Sequence, residues 1–426
     1  MPFMFRLFKS TFLFCLLVSA SCKENTIGHK TNQISDFSVQ TSPTAQVPII
    51  VGANRMQTYL PLLKGKKVGL VANQTTVVFK HPDSQDTYTH LADTLLASGV
   101  NLVAVFAPEH GFRGTADAGE IVSDGKDAKT GLPIVSLYGD NKKPKPEQLK
   151  GLDILIFDLQ DVGTRFYTYI STLHYVMEAC AENGIQLMIL DRPNPNGGIV
   201  DGPILDKANT SFVGMHPVPV LHGMTIGEYA QMINGEKWLN PSTSSGQVLQ
   251  CDLKVVPCLN YSHDMKYSLP VKPSPNLPND QAINLYASLC FFEGTNVSIG
   301  RGTEKQFQIY GSPDLPPAVF SFRFTPQPNE GAKQPMHEGK ICYGEDLSKS
   351  EKVNRLELKW LIKAYQNTAD KQSFFNSYFI KLAGTSALQQ QIEAGLSEDD
   401  IRATWQSGLN SFKKIRADYL IYPAEK

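Results

Sequence analysis

A carboxylate, an imidazole and a guanidinium fall within five residues in the segment Ala107, Pro108, Glu109, His110, Gly111, Phe112, Arg113, Gly114. The segment directly follows an apolar run from Asn101 to Phe106. Such a run breaking into proline and glycine reads as a buried strand that feeds a loop. Ionisable groups on a strand-end loop suit acid–base chemistry, because the strand holds them still at the edge of a sheet. Two later segments have the same make-up. Asp158, Gln160, Asp161, Arg165, Tyr167 and Tyr169 follow one apolar run, and Asp191, Arg192, Asn194 and Asn196 follow another. Carboxylates and amides can take sugar hydroxyls, tyrosines offer a stacking face, and arginine grips a carboxylate or phosphate with paired donors. The plain alternatives are a local Asp191–Arg192 ion pair and helix caps at Asp158 and Asp161.

These loops need a scaffold that brings them to one edge. Apolar strand patterns at 67–71, 102–106, 133–137, 154–158 and 187–191 alternate with helical patterns near 88–99, 146–150, 168–183 and 225–234. Near-continuous apolar strands indicate a parallel sheet covered on both faces. The fold class expected is α/β, a Rossmann-like, doubly wound, mostly parallel sheet with a second, smaller α+β domain. In such sheets ligands bind at the carboxyl ends of the strands. No GxGxxG follows the first strand, where Asn73 and its polar neighbours stand instead, so no dinucleotide cofactor is implied. Strands near 252–256, 306–310 and 319–324, helices near 351–367, 372–381 and 386–394, and a last strand at 419–422 make up the second domain.

The chain has 426 residues, 42% hydrophobic and 19% charged, with a formal net charge of −1. That length predicts two domains, and that charge argues against a nucleic-acid partner. Arg6 and Lys9 precede a short apolar run and then Ser19, Ala20, Ser21 and Cys22. This reads as an export signal, with Cys22 as the lipidated residue of a relaxed lipobox; simple cleavage to a periplasmic protein is the alternative. The expected organisation is a signal peptide over 1–21, a polar tether over 22–47, a Rossmann-like catalytic domain over 48–245 and an α+β domain over 246–426. Membrane contact would come only through the lipid anchor. Of the later cysteines, Cys180 and Cys290 read as buried apolar residues, and Cys251 with Cys258 as a conceivable pair.

Some motifs mislead. Ser123 to Lys126 spells SxxK and Lys129 to Gly131 spells KTG, but both lie in one loop and cannot face each other across a cleft. His216, His222 and Glu228 lack the i, i+4 spacing of a helical metal site, so no metal is expected, and His222 reads as a wall residue of the site.

Seven segments stand in a single order: Val68 to Thr75, the PEHGFRG segment, Gln160 to Tyr169, Asp191 to Pro195, His222 to Gly227, Pro273 to Asn276, and Glu293 to Thr303. That order resembles the bacterial exo-β-N-acetylmuramidase family, from about residue 48 to Tyr422. A stretch from Pro241 to Gln250 departs from the family as an insertion. The resemblance implies an active site in the cleft between the two domains, and release of terminal N-acetylmuramic acid from the non-reducing end of peptidoglycan fragments. It also implies that Glu109 is the catalytic carboxylate.

Glycoside hydrolysis needs an acid for the leaving oxygen and a group that answers the positive charge on the sugar. Glu109 is assigned as the acid, since burial beside Phe112 would favour its protonated form; His110 and Arg113 would oppose this if close. Glu120, Asp158, Glu293 and Glu304 are the candidates for the second group, with Glu293 favoured because its loop can cross from the other domain. An attacking substrate acetamide would make a second protein group unnecessary. Arg165, Arg192 or Arg301 would grip the sugar's lactyl carboxylate. The remaining expected contacts are Asn73, His110, Arg113, Asp158, Gln160, Tyr169, Asp191, His222, Asn276 and Asn296. Two competing readings are a muropeptide-capturing lipoprotein without activity and a serine amidase or esterase.

Overall fold

The structure, a computed structural model, describes residues 47–81, 84–113, 120, 124–239 and 249–423. The export signal, Cys22, the tether and most of the 241–250 insertion lie outside the described residues. Residues from Val47 onward form one compact unit.

Its centre is a seven-stranded sheet of β1 (Lys67–Ala72), β2 (Asn101–Ala107), β3 (Gly125–Lys126), β4 (Pro133–Ser136), β5 (Ile154–Asp158), β6 (Gln186–Leu190) and β7 (Leu253–Val256). The spatial order is β7-β6-β5-β1-β2-β4-β3, and every pair is parallel except β3 with β4. The apolar runs are continuous because both faces are covered. Leu155 and Phe157 of β5 enter one core, while Ile154 and Ile156 enter the other. The chain winds outward from β1 through β2 to β4, then returns to the far side of β1 with β5. That reversal opens a crevice at the strand ends.

Of the helices α1 (Tyr169–Asn183), α2 (Ile226–Gly235), α3 (Asp280–Leu289) and α4 (Tyr378–Ala383), α1, α3 and α4 lend side chains to the site, and α2 packs on α1 and the sheet. Gly184 ends α1 in the left-handed conformation, at φ +63°. Thr225 and Glu228 cap α2 reciprocally. A second, smaller sheet of β8 (Ile309–Ser312), β9 (Phe322–Phe324) and β10 (Cys342–Asp346) has the order β8-β10-β9 and is antiparallel. One apolar core runs from Phe106 and Leu155 at the large sheet through to Phe320, Phe379 and Trp405 in the second part.

Four expectations change. The strand at 253–256 pairs with β6, so it belongs to the large sheet and a domain boundary at 245/246 would cut that sheet. Residues 419–422 form no strand; a long helix, α5 (Glu398–Ala417), precedes them instead, with Ser397 capping it and Lys414 and Arg416 in its last turn. Regular helix in the 351–367 segment begins only at Lys359. Cys251 and Cys258 are both free and buried, as are Cys180, Cys290 and Cys342.

Candidate active site

Glu109 stands just past the end of β2, half-buried, and the backbone turns sharply behind it. His110 takes φ +73° and Gly111 φ +75°, and the Gly111 amide donates to the Pro108 carbonyl at 3.0 Å. A left-handed non-glycine residue is uncommon and marks a position that its surroundings hold in place. Thr168, at the head of α1, donates its hydroxyl to Glu109 Oε2 at 2.7 Å instead of capping its own helix. Tyr138 is a second hydrogen-bonding neighbour of Glu109; burial first and that carboxylate next hold its phenol above the usual range.

Glu109 and Glu293 line one cavity of about 480 Å³. Its walls come from strand-end loops of the large sheet (Glu109, His110, Tyr138, Phe166–Tyr169) and from the second part (Glu293, Arg301, Tyr378). Phe166 packs edge-on against Tyr286, with ring centroids 5.3 Å apart, and Tyr286 against Phe307 at 4.8 Å. Arg301 lies over Phe307 at 5.4 Å and donates from Nε (2.9 Å) and Nη2 (2.5 Å) to Glu293 Oε1. Burial works against the Arg301 charge, and the Glu293 carboxylate more than restores it. Tyr378, on α4, is raised by burial and then by Cys290, Glu293 and Glu109, so both carboxylates act on one phenol.

Five of the expected residues meet at this cavity besides Glu109: His110, Tyr169, Asn276, Glu293 and Arg301. Asn276 donates to the Gly331 carbonyl at 2.6 Å and keeps a buried Oδ1 without a partner.

The other expected contacts are spent inside the fold. Asp158 and Arg192 form a buried paired-donor ion pair at 2.6 and 2.8 Å, and Arg192 also donates to the Val77 carbonyl. Arg165 is fully buried and donates to four carbonyls, those of Pro203, Val218, Leu382 and Ala383. Burial lowers its guanidinium to about 10. Asp191 accepts from Thr225 Oγ1, the Gly227 amide and the Tyr422 hydroxyl, and burial raises its carboxyl to about 6. Gln160 donates to the carbonyls of Asp161 and Pro193. Asn73 orders its own loop through Thr75 and donates to the Tyr169 hydroxyl at 2.6 Å.

Arg113 pairs with Asp127 rather than facing the cavity. Asn296 lies beside the lining; His337 bonds its backbone carbonyl, and its buried Oδ1 has no partner among the described residues. Glu120 pairs with Lys333 at 2.6 Å, and Glu304 is exposed away from the cavity. His222 is a core residue whose Nδ1 accepts from the Met224 amide; burial lowers it to about 3. His216 bonds His174 and Tyr229, and Glu228 bonds His263, so these groups do not converge. Among the described residues no group of three metal-ligating side chains gathers.

The sequence reading missed Thr168, Tyr138 and Tyr378 as site residues. Thr168 lies inside the polar loop after β5, and Tyr138 two residues after β4, so their strand-end places were available signals.

Known proteins carry the same architecture. A crystal structure of a DUF1343 family protein from Bacteroides fragilis NCTC 9343 superimposes with a TM-score of 0.79 at 45% identity, covering 88% of this chain and 99% of that one. A second such protein from the same organism gives 0.73 at 27% identity, covering 88% and 100%. Residues 68–281 match the family described as exo-beta-N-acetylmuramidase NamZ, N-terminal, and residues 284–422 match its C-terminal counterpart. The chain belongs to the exo-β-N-acetylmuramidase family. A relative from Bacillus subtilis (strain 168), the peptidoglycan beta-N-acetylmuramidase NamZ, is 40% identical over 389 residues, 85% of this chain and 89% of the relative. As a member of this family the chain is a glycosidase. The two family regions meet between residues 281 and 284, within α3, the helix that lends Tyr286 to the cavity.

Proposed function

We propose that the protein removes terminal N-acetylmuramic acid from the non-reducing end of peptidoglycan fragments, with Glu109 as general acid. The observation that carries this reading is the pair Glu109 and Glu293 on one aromatic-walled cavity whose two sides come from different parts of the chain. The likeness to a peptidoglycan beta-N-acetylmuramidase supports the substrate.

Glu109 gives its proton to the glycosidic oxygen as the bond to the anomeric carbon breaks; water adds to that carbon, and the proton it loses restores the acid. Thr168 and Tyr138 fix the carboxyl's orientation, which matters because proton transfer requires hydrogen-bond reach. Glu293 answers the positive charge that develops on the sugar ring. Arg301 holds Glu293 through Nε and Nη2, which leaves Nη1 without a protein partner among the described residues. That nitrogen receives the lactyl carboxylate of muramic acid, a charge-assisted bond that a plain N-acetylglucosamine end would not make. Tyr167, Tyr169 and Phe307 give the sugar its apolar walls.

The test is incubation with a disaccharide of N-acetylmuramic acid linked to N-acetylglucosamine. Wild type should release free N-acetylmuramic acid, and Glu109→Gln should lower kcat by about 10²–10⁴ with an unchanged melting temperature. Equal release by both proteins would overturn the assignment of Glu109. We also propose that the chain is exported to the periplasm and anchored through Cys22. Radiolabelled palmitate should enter the wild-type protein and not Cys22→Ala.

A further inference from the structure

A second and larger cavity, of about 740 Å³, lies between the loop 195–201 after β6, the segment 263–268 and helix α5. A space of that order accommodates a small organic ligand. It shares no lining residue with the catalytic cavity; α3 lends Asp280 and Ile283 to one and Tyr286 to the other.

Its charges are unbalanced. Each carboxylate that lines it is engaged by its own neighbours. Asp201 accepts from Arg402 Nη2 at 2.9 Å and from the Leu356 amide at 2.8 Å. Asp280 accepts from the Ser268 hydroxyl and lies 3.6 Å from Lys352 Nζ. Asp264 accepts from the Ser262 hydroxyl. By contrast, Lys266, Lys413 and Arg416 line the cavity with no carboxylate at ion-pair distance among the described residues.

Arg416 is the informative one, because it is 8% exposed. Its Nε and Nη2 both donate to the Gly223 carbonyl. That carbonyl supplies only a dipole, and the buried Glu228, which acts on the guanidinium from beyond ion-pair distance, is already bonded to His263, so no carboxylate touches Arg416 directly. Burial accordingly pulls it below its usual range. His263 stands on the same wall, 3% exposed, with Nε2 bonded to Glu228 at 3.0 Å and Nδ1 without a partner. Gly198 keeps a side chain out of this corner: a Cβ there would sit 3.1 Å from His263 Cβ and 3.6 Å from Arg416 Nη2.

We propose that this cavity is an anion-binding site for a small organic acid, whose carboxylate or phosphate group sits against Arg416 with Lys266 and Lys413 at the rim. The ligand sets a negative charge directly against Arg416, and the side chains of Asn196, Asn284 and Gln406, whose amide nitrogens already donate to backbone carbonyls, wall its uncharged part. The site stands apart from the chemistry at Glu109.

The experiment is calorimetric titration of the full chain at low ionic strength, with glutarate and, separately, with inorganic phosphate. Wild type should bind at least one of them saturably at one site. Preference for glutarate identifies a carboxylate ligand, and preference for phosphate a phosphorylated one. Glu109→Gln should bind as wild type does. The double variant Lys266→Glu, Lys413→Glu should weaken binding by about tenfold or more, since two attractive charges become repulsive. Arg416→Gln should abolish binding if its melting curve shows it folded; the rim variant decides the matter if it does not. Absence of saturable binding of either anion, undiminished affinity in the double variant, or loss of binding in Glu109→Gln would each overturn the proposal.

Discussion

Two carboxylate–guanidinium pairs in this protein are alike in chemistry and differ in what they can reach. Asp158 and Arg192 are 0% and 3% exposed and complete each other. Glu293 and Arg301 are 22% and 25% exposed and open onto a cavity. In the first pair every strong donor faces protein, so the charges hold the sheet edge together. In the second, one face remains for a ligand. Residue type names what a group can bind, and burial decides whether anything but the protein can reach it.

The contrast can be broken at either pair. Asp158→Ala leaves Arg192 buried without its anion and should cost about 3–5 kcal/mol of stability, read by urea denaturation. Whatever fraction remains folded should keep its specific activity; a selective loss of kcat would mean that Asp158 belongs to the catalytic site after all. Arg301→Gln should do the reverse. Stability should change by no more than about 1 kcal/mol, because the pair is partly exposed. Activity on the muramic acid disaccharide should fall by about 10- to 100-fold, mostly in KM.

Asp191 sharpens the same contrast through pH. Its carboxyl rises from the ordinary 3.8 to about 6 in the folded protein. The folded state therefore holds this proton more tightly than the unfolded chain. The stability it contributes is fully present below pH 3.8 and is lost as pH rises through about 6. The melting-temperature advantage of wild type over Asp191→Asn should shrink across that window; an advantage that grows with pH would refute the assignment. The smallest effect belongs to Thr168→Val. Loss of one hydrogen bond to Glu109 should cost about 1 kcal/mol of transition-state stabilisation, near fivefold in kcat, with little change in KM.

The large sheet was legible because its strands are buried on both faces and leave unbroken apolar runs. β7 was the exception. Leu253–Val256 reads equally well in either part, and only its pairing with β6 assigns it. Helix α5 had its cap and charged last turn on view, and its low overall hydrophobicity hid the stripe of Ile401, Trp405, Leu409 and Phe412. At the site, the polar strand-end loops led to Glu109, His110 and Tyr169, and a loop able to cross from the second part led to Glu293. The same logic over-counted Arg165, Arg192, Asp158 and Asp191. Their partners are remote carbonyls, hydroxyls and charges, such as Leu382 for Arg165 and Tyr422 for Asp191, and no local spacing announces them.

Arg165 sits in the loop after β5, yet two of its four carbonyl partners, Leu382 and Ala383, close the helix that carries Tyr378. It works as a rivet driven through both halves of the molecule. Pulling the halves apart would strip a buried guanidinium of half its bonds, at a cost that no single loop movement returns. The loop that carries Thr168 and the helix that carries Tyr378 are thus fastened to one side chain, and the proposed site opens between two walls that share it.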